Sequence, residues 1–264
     1  MLNLVSKKSL KISCIVAVTF VSGCSTANQF HEPQKKYEQT LSKKVLIHMD
    51  IETMFPSVKL RKLANAAGRG NTSLVDALIS EGVDVNSRGT ENATALFWSM
   101  RNEEGFNHLL AKGADPNVVF GDGGSVMHWA ARQQDCDMLI SALKHGGNPN
   151  LRAGMFGGSP AFETITAGKN KGTPPCLEVL LAHGSNIEFR DNNGKTLLFL
   201  ATDIARFDVA LYLLEEGADP SVQDVKGRTI RTLLNSYQGA FKEGSTTESN
   251  WIKLKGKLDK LGIE

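Results

Sequence analysis

The chain contains no His-Glu-x-x-His, no Gly-x-Ser-x-Gly and no pair of cysteines at zinc-ligand spacing. Gly194-Lys195-Thr196 ends like a phosphate-binding loop, but Phe189 stands where that loop needs a glycine. No nucleophile, base or metal-ligand set converges, so the chain reads as a non-enzyme with no cofactor and no metal. Charge of one sign is also lacking. Lys and Arg number 30 against 28 Asp and Glu, a formal charge of +2. Residues 1–23 hold Lys7, Lys8 and Lys11 and no acid, and without them the charge is −1. A nearly neutral body argues against nucleic acid as the main partner. The apolar run from Ile12 to Val21 is far shorter than the roughly 20 residues a membrane span needs.

What the chain does have is a recurring phrase. Leu-Ile-x-x-Gly82-Val-Asp-Val-Asn86 returns as Leu-Leu-x-x-Gly113-Ala-Asp-Pro-Asn117, Gly146-Gly-Asn-Pro-Asn150, Gly184-Ser-Asn-Ile-Glu188 and Gly217-Ala-Asp-Pro-Ser221. The glycines lie 31, 33, 38 and 33 residues apart. A period near 33, with glycine closing each helical stretch and Asp, Asn or Pro turning the chain, predicts stacked helical hairpins. Thr94, Ser125, Ser159, Thr196 and Thr229 are placed to N-cap the first helices, with Pro160 following at N1. Paired alanines, Ala66-Ala67 and Ala130-Ala131, let the two helices of a hairpin approach closely.

The pattern resembles the ankyrin repeat over about 200 residues. Matching motifs include Thr94-Ala-Leu96, Ser125-Val-Met-His128, Ser159-Pro160, Gly194-Lys-Thr196-Leu-Leu-Phe199 and Gly227-Arg-Thr229. The resemblance implies an all-α ankyrin solenoid of about five helix-turn-helix repeats with β-hairpin fingers, covered at each end by capping helices. It places repeats at 61–228, an N-terminal cap at 41–60 and a divergent C-terminal repeat or cap at 229–264. It assigns His128 to hydrogen bonds between repeats, and Trp98 and Trp129 to the core. The second repeat is short between its helices, and the fourth is expanded through Lys169 to Pro175. His145 and His183 precede helix-ending glycines, where an imidazole suits the helix dipole. Trp251, Leu254, Leu258 and Leu261 share one face of a closing helix ringed by lysines.

The start of the chain reads as an export signal at 1–23 followed by a polar tether at 24–40. Val21-Ser22-Gly23-Cys24 resembles the bacterial lipobox. That resemblance implies acylation of Cys24 and, with Ser25 next, an outer-membrane lipoprotein facing the periplasm, touching membrane only through its anchor. Met49 and Met54 offer internal starts that would give a minor cytosolic form. Cys136 and Cys176 begin the second helices of neighbouring repeats. Such helices lie about 10 Å apart whereas a disulfide needs Cα atoms within about 7 Å, so two separate buried thiols are expected.

Fingers and first helices of ankyrin proteins form a concave protein-binding face. Carried over by position, that face comprises Glu91, Arg101, Asp122, Arg132, Met155, Phe156, Asn192, Lys195 and Asp203. Met155-Phe156 stands out, because two large apolar residues sit on a tip between Gly154 and Gly157. Two placements are open: an exposed anchor, or a fold-back of Phe156 onto a neighbouring finger. The run Met54-Phe55-Pro56 to Gly70-Asn71, followed by Gly82-Val-Asp-Val-Asn86, resembles a group of enterobacterial ankyrin lipoproteins. Some of that group resemble immunity proteins for type VI secretion phospholipase effectors. By that resemblance the chain is a monomer that binds a toxic lipase in a heterocomplex. The alternative is a general envelope adaptor tethering a periplasmic protein.

Overall fold

The structure is a computed structural model that describes residues 50–167 and 172–263. The expected export signal, Cys24, the expected tether, the cap residues up to Met49 and residues 168–171 of the expanded loop therefore lie outside the described residues. Among the described residues thirteen α-helices follow in order. A short α1 (Ile51–Met54) precedes six helix pairs: α2 (Val58–Gly68) with α3 (Thr72–Ser80), α4 (Ala95–Ser99) with α5 (Glu103–Ala111), and α6 (Val126–Ala131) with α7 (Asp137–Lys144). Then come α8 (Pro160–Ala167) with α9 (Pro175–Ala182), α10 (Leu197–Asp203) with α11 (Phe207–Glu215), and α12 (Ile230–Ser236) with α13 (Thr246–Lys260). First helices stack on first helices, α2 on α4, α6 on α8, α8 on α10 and α10 on α12. The expected hairpin fingers between pairs are reduced to turns closed by single antiparallel bridges, Val119 with Ser125, Ala153 with Gly158 and Gln223 with Thr229.

Each first helix starts where a hydroxyl replaces a missing backbone partner. Thr94, Ser125 and Thr196 accept from the N–H three residues on, and Thr229 forms a capping box with Thr232. Ser159 departs from this pattern: its hydroxyl is buried with no hydrogen-bond partner among the described residues, and its backbone carbonyl takes the Phe162 N–H instead. Second helices end as anticipated, with Gly82, Gly113, Gly146, Gly184 and Gly217 all at φ between 84 and 89°. Ala66, Ala67, Ala130 and Ala131 are buried between helices. Close packing reaches its limit at Gly105, where a Cβ would run into the Ala67 carbonyl, so α5 rests on the backbone of α2.

The recurring Asp and Asn act as a ladder. Asp84, Asp115, Asn148, Asn186 and Asp219 each accept the N–H two residues on, which sets the turn. The Asn two residues later reaches the next repeat with both amide atoms. Asn117 Nδ2 donates to the Gly146 carbonyl at 2.9 Å, while its Oδ1 accepts from Asn148 N–H at 2.7 Å. Asn86 and Asn150 repeat this geometry on Gly113 with Asp115 and on Gly184 with Asn186. Glu188 stands where a fourth Asn would, and it can only accept, from Asp219 N–H. His128 ties repeats three and four as expected, facing Ser125 Oγ at 2.7 Å and the Gly158 carbonyl at 3.2 Å. His145 and His183 donate from Nδ1 to carbonyls four residues back, each at 2.8 Å.

The expectation for the cysteines is overturned: Cys136 and Cys176 form a disulfide with Cα atoms 5.4 Å apart. The spacing between helix axes describes helix middles, whereas both cysteines sit at helix starts. There the turn of repeat three leans onto α9, placing Cys176 Sγ 3.6 Å from the carbonyl oxygens of Gln133 and Asp135. At the C-terminal end Leu254 and Leu258 are buried, and Trp251 donates to the Leu234 carbonyl at 2.9 Å. Leu261 does not share that face, because it follows the last helical turn and is 59% exposed. Trp98 and Trp129 pack against the core as expected, each partly buried.

Candidate protein-binding face

The fingers are held in a row by their own backbones. A tip N–H donates to the preceding finger at each step: Gly121 to Glu91, Gly154 to Gly123, Asn192 to Phe156 and Val225 to Asn193, at 2.5 to 2.9 Å. Aspartates at the finger bases fix each loop from inside. Asp122 accepts from Gly124 N–H, Asp191 from Asn193 and Lys195, and Asp224 from Lys226 and Arg228. Burial would raise the Asp224 carboxyl, but the Arg228 N–H and guanidinium outweigh it and hold the group below the usual carboxylate range. The face is therefore a fixed surface rather than a set of loose loops.

Finger four carries the exposed apolar pair. Met155 is 47% and Phe156 57% exposed, so Phe156 does not fold back onto a neighbour. Gly154 (φ 76°) and Gly157 (φ 65°) turn the tip in the left-handed region, and a Cβ on Gly157 would overlap the Asn192 side chain. Arg152 pins the base by donating to the carbonyls of Gly157 (2.8 Å) and Arg190 (2.9 Å), with its guanidinium 4.5 Å from the Phe189 ring centre. Beside the tip opens a cleft of about 130 Å³, lined by Phe156, Phe162, Glu163, Asn193, Lys195 and Leu200 among others. It is apolar in the middle, with its charges already matched. Arg132 meets Glu163 at 2.7 Å, and Lys195 meets Asp203 at 2.5 Å. Arg228 meets Asp203 at 3.2 Å and Asp224 at 2.8 Å.

Of the nine positions carried over from the resemblance, Phe156 and Lys195 share this cleft, and Arg132 and Asp203 hold its rim through their ion pairs. Met155 and Asn192 flank it, Met155 exposed beside Phe156 and Asn192 bonded by its N–H to the Phe156 carbonyl. Asp122 faces its own finger. Glu91 and Arg101 belong to the second repeat. Glu91 takes φ 53° in a tip where Asn92 is also left-handed, and its carboxylate occupies the space a Cβ on Gly121 would need. Arg101 lies 3.7 Å over the Trp98 ring, and Arg132 lies 5.5 Å from the Trp129 ring. Arg152, Phe162 and Glu163 were not singled out in the sequence. Their roles depend on the neighbouring finger or helix, and no local motif marks them. No group of three or more His, Cys, Asp or Glu side chains is placed to hold a metal ion among the described residues, and none of their helices is long and apolar enough to cross a membrane.

Residues 127–224 match the family described as ankyrin repeats (3 copies). Protein PhlB of Serratia liquefaciens is 33% identical over 146 residues, covering 54% of this chain and 62% of PhlB. The putative palmitoyltransferase ZDHHC13 of Danio rerio is 32% identical over 127 residues, 47% of this chain and 19% of that protein. The chain thus spans about three fifths of PhlB and about a fifth of the palmitoyltransferase. Among solved structures, an ankyrin repeat domain from Acinetobacter baumannii superposes with a TM-score of 0.60 at 22% identity, covering 73% of this chain and 97% of that one.

Proposed function

We propose that this chain, whose residues 127–224 match ankyrin repeats and whose fold superposes on an ankyrin repeat domain, is a non-catalytic protein binder that neutralises a secreted phospholipase effector. The exposed Met155-Phe156 tip beside a charge-matched cleft carries the reading. Large apolar side chains on a pinned loop, ringed by satisfied polar groups, are what an interface hot spot needs. In this proposal Phe156 enters the partner, and the Glu163–Lys195 cleft receives an apolar side chain in return. The identity of the partner rests on the sequence resemblance to immunity proteins of type VI secretion phospholipases. The location rests on the lipobox at Cys24, and the Cys136–Cys176 disulfide supports it, because such bonds persist in oxidising compartments. An acylated protein in the periplasm would stand beside the membrane that such a lipase attacks.

The test is expression of the cognate lipase in the periplasm of a strain with and without this protein. Growth should stop without it and continue with it; equal growth in both strains overturns the immunity reading. Capture from envelope extracts with wild type and Phe156→Ala completes the test. The variant should lose the lipase by about 2 kcal/mol or more, roughly 30-fold in affinity. Recovery of a resident envelope protein instead, lost equally on Phe156→Ala, would move the assignment to an adaptor using the same face.

A further inference from the structure

On a different side of the array a cavity of about 480 Å³ opens between α11 and α13, lined by Leu211, Glu215, Lys253, Gly256, Lys257 and Lys260. Gly256 sits inside α13, where glycine weakens a helix. A Cβ added there would meet no atom within 4 Å. Packing therefore does not require the missing side chain, and its effect is to leave the groove open. The charges around the opening are mainly of one sign. Lys257 pairs with Glu215 at 2.6 Å, and Asp259 of the same helix is drawn to Arg231. Lys255 lies over the Trp251 ring at 5.6 Å. Lys253 and Lys260 have no carboxylate partner among the described residues. One turn before Gly256, Ile252 stands 55% exposed.

We propose that this groove is a docking site for the headgroup of an anionic phospholipid at a bilayer surface. The phosphate would meet Lys253, Lys257 and Lys260, the glycerol and ester region would lie over Gly256 on Leu211, and Ile252 would enter the interface. Basic side chains around an apolar floor, with one apolar residue projecting beside them, satisfy all parts of such a headgroup together. A purely solvated lysine face gives no reason for the open floor. This site is independent of the finger face and would seat the C-terminal end of the array against a membrane.

The test uses the full chain with Cys24→Ser, so that no acyl chain contributes. Sedimentation with phosphatidylcholine vesicles is compared with and without phosphatidylglycerol. Binding should depend on phosphatidylglycerol and weaken about 100-fold in Lys253→Gln/Lys257→Gln/Lys260→Gln. Gly256→Leu fills the groove while keeping every charge, and should weaken binding while leaving the thermal midpoint equal or higher. Equal binding to both vesicle types overturns the proposal. So does full binding by Gly256→Leu, which would reduce the effect to diffuse charge. Binding of millimolar glycerol phosphate in solution without sedimentation on phosphatidylglycerol vesicles would assign the groove to a free phosphate ester instead, and also overturns it.

Discussion

At the scale of single residues, His128 and Phe156 make opposite demands. His128 is buried between Ser125 and the Gly158 carbonyl, and burial holds its imidazole below the ordinary value of 6.5, more than offsetting the Gly158 bond and Glu163. The neutral ring therefore belongs to the folded state. Its contribution to stability is complete above about pH 6.5 and falls as the pH drops through that value, because the unfolded chain takes up the proton first. Urea denaturation at about pH 7.5 and about pH 5.5 should show this loss in wild type and a smaller one in His128→Gln; equal losses would show that another group is responsible. Phe156 is mostly exposed, so Phe156→Ala should leave the urea midpoint unchanged within about 0.5 kcal/mol while weakening partner capture. A large stability loss would reveal a packing role for the ring.

At the scale of elements, the joints between repeats rest on one side chain used twice. Asn117 supplies both a donor and an acceptor across the joint between repeats two and three. Asn117→Ala should cost about 1 kcal/mol, since it removes two hydrogen bonds to exposed backbone groups that water can partly satisfy. Glu188→Asn tests the converse. It keeps an acceptor for Asp219 N–H and adds a donor toward the Gly217 carbonyl, so chemical denaturation should show a gain of up to about 1 kcal/mol. A neutral result for both variants would mean that water fills these joints equally well. The phrase that makes the repeats legible, Gly-x-Asp-x-Asn, is thus a turn signal and an inter-repeat clip written in the same five residues.

At the scale of the whole molecule, the array is a chain of neighbour contacts, so any joint can be the one that opens first. The Cys136–Cys176 bond closes 40 residues across repeats three and four, the pair that also presents the Phe156 tip. Loop closure of that length contributes up to about 4 kcal/mol in the chain-entropy account. Reduction, or Cys136→Ser with Cys176→Ser, should therefore lower the thermal midpoint markedly and expose the joint of repeats three and four first to proteolysis. A midpoint indifferent to reductant would mean that the joint is already held by the His128 and Asn150 contacts.

The periodic glycines, the hydroxyl caps, the paired alanines and the short apolar stripes were readable in the sequence. Each is a local requirement of a helix end or a close helix pair, and the same residue types answer it wherever it recurs. His128 was readable for the same reason. The disulfide, the unpartnered Ser159 hydroxyl and the exposed Leu261 were not. They depend on how the start of one helix leans on the next repeat, a tilt that no residue spacing encodes. The cleft beside Phe156 is of this second kind, since its walls come from two repeats, pinned by Arg152 and by the Lys195–Asp203 pair. Sequence alone determined that these residues stack helix on helix, because periodicity is a local property. Only the tertiary structure decided which side chains meet across the joints, because that depends on distances between residues some thirty to forty positions apart.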